Sequence, residues 1–470
     1  MSWLLLSLLL RSAEAQPVLP TPLDVRPDLG LAPPFHAQVP DVLALSNGVS
    51  VWFLPRPGLP LVSVRVLVRG GAASDPADMA GLASLTDTLL TRGAGERDAV
   101  AFATTTEQLA LTLTTSTESG WTTVSLDAHA GRLDAALDLL ADALLRPRFD
   151  AAELERVRTL RLGQIAQDLD DPVTVARQVA TRELFGPSHP YAHPATGTRS
   201  GVTAATRDAV LQSYQARFQA GRMAIFASGD VAADALRQAL ESRLGALARG
   251  GEATTTLPPV PDHTRGPRLI LVDNPGATQT VLYLLTQGPL GTDPHLHASR
   301  MATIALGGTF TSRLNRKLRE EKGYTYGVSA RLTPDAVASL LSIRTAVQRE
   351  VTGAALSDLM AELDALREGI SADELDKARA ARVTQLVSAL ETRSGVADAY
   401  LSLFQTGRGP EGFQVELAAL AELNEREVRR AAKHLGFDQG VIVVHGDLAS
   451  VRAEVEQVVS GAWQVVTPDR

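Results

Sequence analysis

The chain has no cysteine in its 470 residues, which excludes disulfides, thiolate catalysis and zinc or iron–sulfur sites held by cysteine. It also lacks a basic cluster. Lys and Arg total 45 against 53 Asp and Glu, a formal charge of −8, and no run is long enough to neutralise a stretch of phosphates, so nucleic acid is not an expected partner. Beyond the first residues no apolar stretch approaches the roughly 20 residues a membrane span needs, so no span is expected in the mature chain. No Ser/His/Asp spacing or carboxylate pair supports an autonomous hydrolase.

What is present is core material: 45% hydrophobic and 21% charged residues, with Leu, Val and Ala spread along the whole length, as in a globular chain of roughly two to four units. The apolar run Trp3 to Leu10, followed by Ala13-Glu14-Ala15, predicts a signal peptide over 1–15 and an exported, periplasmic protein. Residues 16–40, rich in Pro and Asp, predict an extended arm.

Structure proper begins with strands at 42–46 and 49–54 joined by Asn47-Gly48 as a two-residue primed turn, then a third strand at 61–68. Helical spacing at 77–91 and 97–110 precedes strands at 111–116 and 121–128. Helices follow at 132–145, 151–169, 172–184 and 205–218, then a strand at 223–228 and a helix at 232–247. Residues 248–267 have linker chemistry. Beyond them the order recurs: strands at 269–272 and 280–286, helices at 296–305 and 312–321, strands at 325–332 and 338–345, a helical stretch to 435, a strand at 440–444 and a closing helix from 449. The late strands of both halves end in Gly-Asp, at Gly229-Asp230 and Gly446-Asp447. This is the pattern of an internal duplication. The expected class is α+β: two homologous lobes, 41–247 and 268–470, each a mainly antiparallel sheet with helices on one face, arranged as a clamshell.

The segment from Gly81 to Gly93 resembles the first zinc-site helix of the inverted zinc peptidases, the pitrilysin, insulinase and mitochondrial-processing-peptidase type, which carries His-x-x-Glu-His. That chemistry needs two imidazoles one helical turn apart to hold zinc and a carboxylate to take a proton from the metal-bound water. Here Ser84 and Thr88 stand at the His positions and Asp87 at the Glu position. The resemblance puts Gln164 where the family's third ligand, a Glu, would be. Neutral hydroxyls do not offset the dehydration of zinc, so no metal is expected on this chain. By spacing alone, Ser84, Asp87, Thr88 and Thr91 read as the solvated stripe of an amphipathic helix. His189 and His193, each followed by proline, read as loop packing, and His295 and His297 as surface residues.

The second half carries Leu306-Gly307-Gly308-Thr309-Phe310-Thr311-Ser312-Arg313-Leu314 and then Leu318 to Val328, which resembles the family's substrate-gripping element. Its Arg and Tyr lie seven residues apart, and Arg319 and Tyr326 hold those positions. By spacing alone Tyr326, alternating with Tyr324 and Val328, reads as core and Arg319 as a surface helix residue. The resemblance implies instead that both reach substrate and the oxyanion beside a zinc, a task suited to fixed-geometry donors. It further implies a homologous zinc-bearing partner subunit and a peptide or small unfolded protein as substrate. This chain would be the zinc-free subunit of a heterodimeric metallopeptidase, the zinc lying on the partner. The alternative is a structural or peptide-binding module of the same fold with no catalytic role.

Overall fold

The computed structural model describes residues 35–251, 257–258, 260, 268–459 and 463–467. The expected signal peptide, most of the arm and most of the linker lie outside the described residues.

The first half forms a sheet from β1 (Asp41–Ala44), β2 (Ser50–Pro55), β3 (Leu61–Arg69), β4 (Thr112–Thr117), β5 (Trp121–His129) and β6 (Met223–Gly229). Its helices are α1 (Leu82–Leu89), α2 (Ala99–Gln108), α3 (Leu133–Leu145), α4 (Ala151–Asp170), α5 (Pro172–Phe185), α6 (Arg199–Ala204), α7 (Arg207–Arg217) and α8 (Ala233–Leu244). The second half adds β7 (Arg268–Asp273), β8 (Gln279–Gln287), β9 (Thr325–Thr333), β10 (Leu340–Gln348), β11 (Val441–Gly446) and β12 (Trp463–Val466). Its helices are α9 (Leu296–Thr303), α10 (Thr352–Glu368), α11 (Ala372–Ala389), α12 (Arg393–Gln405), α13 (Gly412–Glu422), α14 (Glu425–His434) and α15 (Leu448–Val458).

The strand orders are β1-β2-β6-β3-β5-β4 and β12-β7-β11-β8-β10-β9, the same path walked twice. In each sheet the first strand of the core pairs in parallel with the late strand, β2 with β6 and β7 with β11, and the remaining inner pairs are antiparallel. The Gly-Asp ends have a packing reason. A Cβ on Gly229 would lie 2.6 Å from the Leu61 carbonyl, and one on Gly446 would lie 2.6 Å from the Thr280 hydroxyl, so both late strands need glycine where they cross a neighbour. The copies differ at the edge, where β1 is antiparallel and β12 parallel to its neighbour. β12 itself was not foreseen, because the sequence reading ran the closing helix through it. The opening hairpin also differs from the expected primed turn. Gly48 N–H bonds to Leu45 O at 2.9 Å, placing Ser46 and Asn47 at the turn's centre, and Gly48 follows in the left-handed region at φ +91°. The loop is therefore longer by a bulged glycine.

The central strands β3 and β8 are buried on both faces along all but their end residues. On β3, Val62, Val64, Val66 and Val68 face the first lobe's own helices. On β8, Leu282 and Leu284 do the same in the second lobe, while Val281, Tyr283 and Leu285 turn the other way against α5, which comes from the first half. The exchange is reciprocal. α12 of the second half lies over β3 and β6, where Phe404 meets Trp52 and Phe226 edge-on with ring centres 5.5 and 5.3 Å apart. Asp171 and Thr392 cap these two helices through the Thr174 and Gly395 amides, at 3.0 Å each. Polar bonds fasten the seam: Arg65 to Asp398 at 2.7 Å and Arg268 to Glu183 at 2.8 Å. The end of the arm joins it too, since Gln414 of α13 bonds to the Ala37 carbonyl at 3.1 Å. The two-lobed α+β clamshell is thus one packed body from Ala37 onward.

Candidate functional site

Helix α1 starts where Asp75 accepts hydrogen bonds from the Gly81 and Ala83 amides at 2.8 and 2.7 Å. Burial pushes the Asp75 carboxyl up to about 6, against the pull of those amides and of Arg217. The polar stripe of α1 is not solvated as its spacing suggested. Ser84 is 6% exposed and Asp87 only 1%. Asp87 bonds to the Arg217 guanidinium at 2.8 Å and accepts from the hydroxyls of Thr117 and Thr122 at 2.7 and 2.6 Å. Arg217, at the end of α7, is itself 2% exposed and also donates to Gly70 O and Thr122. The carboxylate at the family's general-base position is therefore consumed by a buried ion pair.

Thr88 donates to Ser84 O at 2.8 Å and receives Arg161 Nη2 from α4 at 3.3 Å. Burial draws the Arg161 guanidinium below its usual range, while Asp168 and Asp87 pull the other way. Gln164, one turn further along α4, is exposed and donates to Asp168 at 2.8 Å. Two hydroxyls, a carboxylate already engaged with three donors, and a guanidinium do not compose a zinc site. Among the described residues no cluster of three or more His, Cys, Asp and Glu side chains could hold a metal. Arg161 and Arg217 were missed from sequence because their partners lie 73 and 130 residues away.

The second element is built by the chain from Ile304 to Val328. Two π-helical turns, Ile304–Gly308 and Asn315–Glu321, flank the loop that carries Phe310. Gly323, at φ +65°, closes the second turn, and the Tyr324 amide reaches back to Leu318 O at 2.8 Å. Strand β9 then begins irregularly. Its pairing with β10 runs Thr345 to Val328 but Val347 to Thr325, so β9 carries one extra residue at Tyr326-Gly327. This bulge breaks the alternation that would have sent Tyr326 inward beside Val328. Tyr326 is 94% exposed instead, whereas Val328 is buried. The reading of Tyr326 as core is thereby overturned.

The bulge is held by Thr325 Oγ1, which accepts from the Gly327 amide at 3.1 Å, and by Asn315. Asn315 accepts from Val328 N at 2.9 Å and donates to Val328 O and Thr309 O at 2.8 and 3.0 Å. One buried amide thus ties the Phe310 loop, the helix of Arg319 and the strand of Tyr326 together. Arg319 lies flat on Phe310, its Cζ 3.7 Å from the ring centre, and Phe310 is 61% exposed. The result is a guanidinium stacked on an exposed phenyl ring, with an exposed phenol on the strand that follows. Asn315 carried no sequence signal, being one polar residue among the charged residues of Ser312 to Glu321.

The histidines divide. His189 is buried, stacks on Phe185 at 4.7 Å and accepts from the Tyr191 amide at 3.0 Å. His295 is exposed, but His297 is 7% exposed and bonds to Arg408, so its reading as a surface residue is corrected. No helix among the described residues is long and apolar enough to cross a membrane.

Comparison with known proteins matches residues 56–185 to the insulinase domain of peptidase family M16 and residues 204–382 to the peptidase M16 inactive domain. An uncharacterized zinc protease of Mycobacterium tuberculosis is 28% identical over 440 residues, covering 91% of this chain and 98% of that protein. The non-peptidase homolog YmxG of Helicobacter pylori is 26% identical over 324 residues, 68% of this chain and 74% of the relative. The crystal structure of a peptidase M16 inactive domain from Pseudomonas fluorescens superposes with a TM-score of 0.80 at 23% identity, covering 87% of this chain and 98% of that one. Both lobes match domains of one family, and the chain belongs to the insulinase family, peptidase family M16.

Proposed function

We propose that this chain is the non-catalytic, zinc-free subunit of an exported, periplasmic insulinase-type metallopeptidase, binding peptide substrate and supplying Arg319 and Tyr326 to a zinc site on a homologous partner. The observation that carries the reading is the Tyr326 bulge. A phenol that is 94% exposed and makes no hydrogen bond among the described residues is held out on a braced strand. The bulge fixes the backbone from which the phenol projects and leaves its hydroxyl free to donate to a developing oxyanion. Arg319, stacked on Phe310, offers a planar fork for a backbone carbonyl or carboxylate. The helix that would hold the metal is filled by its own ion pair, so the catalytic zinc belongs to the other subunit.

The name of the Helicobacter pylori relative favours a second reading, a structural or peptide-binding module without a part in catalysis. Purification of the tagged chain from its native host, followed by elemental analysis, separates the two. A stoichiometric homologous partner bearing about one zinc per pair and cleaving unfolded peptides supports the first reading. A partner without zinc, or an assembly without peptidase activity, supports the second.

A further inference from the structure

A second charged constellation lies in a cavity of about 740 Å³ walled by α9, α11, α12 and β9, which abuts the first π-helical turn of the Arg319 and Tyr326 element at Ile304 and Gly308. Glu416 of α13 is 2% exposed. Arg382 clamps it with two bonds, Nε to Oε1 at 2.7 Å and Nη2 to Oε2 at 3.1 Å, and Arg300 Nη1 donates to Oε1 as well. Both carboxylate oxygens are therefore satisfied. A third guanidinium, Arg408, donates only to neutral acceptors, the Gly291 carbonyl at 2.6 Å and His297 Nε2 at 2.7 Å. Because a guanidinium cannot accept, His297 is the acceptor and carries its proton on Nδ1, which is buried without a partner 3.8 Å from Glu416.

Three guanidiniums thus gather around Glu416, and with Arg331, Glu118 and Asp335 the lining carries four guanidiniums against three carboxylates, an excess of one positive charge. Arg300 Nη2, Arg382 Nη1 and Arg408 Nη2 have no hydrogen-bond partner among the described residues. Burial draws Arg300 below its usual range; Glu416 opposes this, while Arg382 and Arg408 add to it by repulsion. The other acidic side chains on the wall are held by neutral donors, Glu118 by Gln405 at 3.2 Å and Asp335 by Trp121 at 3.3 Å. Leu296, Ile304, Leu332 and Phe413 supply apolar surface beside the cations.

From this arrangement we infer that the cavity is a binding site for the carboxylate of a peptide C-terminus, seated on the open N–H groups of Arg300, Arg382 and Arg408 with its last side chains on the apolar wall. Planar forks match a carboxylate in geometry, and an incoming anion offsets the one positive charge that the lining leaves in excess. The inference is independent of the Arg319 and Tyr326 proposal, because it concerns the isolated chain.

The test is calorimetric titration of the purified chain, in chloride-free buffer, with N-acetyl-Ala-Leu as free acid and as C-terminal amide. The acid should bind at least about tenfold more tightly than the amide. Glu416→Gln, which removes the competing carboxylate, should tighten binding of the acid, and Arg382→Gln should weaken it, with circular dichroism showing both variants folded. Equal binding of acid and amide, binding of neither, or binding of inorganic phosphate in place of the acid overturns the inference. So does a folded Glu416→Gln variant with unchanged affinity, which would leave the cluster a structural ion-pair network.

Discussion

Replacing Asp87 by alanine distinguishes a buried role for the degenerate motif from the solvated stripe its spacing suggests. Asp87 and Arg217 are 1% and 2% exposed and bond at 2.8 Å. Alanine leaves the guanidinium charged in the interior and strips an acceptor from the hydroxyls of Thr117 and Thr122. Losing one member of a buried pair costs about 3–5 kcal/mol, whereas an exposed helix position changes stability by about 0.5 kcal/mol or less. The assay is urea unfolding followed by circular dichroism, read as a fall in the midpoint at unchanged slope. A double variant, Asp87→Leu with Arg217→Met, removes both charges and should recover most of the loss. A shift of less than about 1 kcal/mol for Asp87→Ala would refute the buried pair as the reason for the aspartate.

Restoring ligands by Ser84→His, Thr88→His, Asp87→Glu and Gln164→Glu should fail to recruit zinc while Arg161, which bonds to Thr88 in the native chain, stays next to the rebuilt site, because its charge opposes a divalent cation. Adding Arg161→Ala should bring elemental analysis to about one zinc per chain; equal zinc in both folded variants would remove Arg161 from the explanation. Acid should weaken the second lobe in stages. Burial lowers the His297 ring to about 4, so stability present above 6.5 is lost as the pH falls toward 4, since the unfolded ring takes the proton first. Arg313 holds Glu374 down to about 2, and Glu416, raised by burial but lowered more by Arg300 and Arg382, also lies at about 2. Stability from these two is present above 4.5 and lost between 4.5 and 2. Arg313→Gln should flatten that last limb in an acid titration followed by circular dichroism, and an unchanged limb would contradict the pairing.

The duplicated order of elements along the chain was legible because it rests on local periodicity and on the two Gly-Asp strand ends, whereas the order of strands within each sheet was not. The reciprocal cover of each sheet by the other half's helix was not either: on β3 the second face carries Ser63 and Arg65, which alternate with valines as on a strand with one solvated face, yet both are buried. β12 escaped notice because its four residues sit at an edge with alternating partial exposure, which resembles a helix tail. At the degenerate motif the sequence identified the lost ligands but not what replaced them, since ion pairs between distant segments leave no local pattern. Tyr326 shows the opposite limit. Strict alternation placed it in the core, and one extra residue on β9, stabilised by the side chains of Thr325 and Asn315, turned it to solvent.

The most direct measurement is the turnover of the assembled peptidase carrying Tyr326→Phe, with assembly and zinc content checked in the same preparation. If the exposed phenol donates to the developing oxyanion in the partner's site, turnover should fall by about 10²–10³ while assembly and zinc are retained. Because Tyr326 makes no hydrogen bond within the described residues of its own chain, the substitution should leave this subunit's stability unchanged. Full turnover from a stable, zinc-loaded Tyr326→Phe complex would contradict the proposed role and leave a peptide-binding or structural subunit.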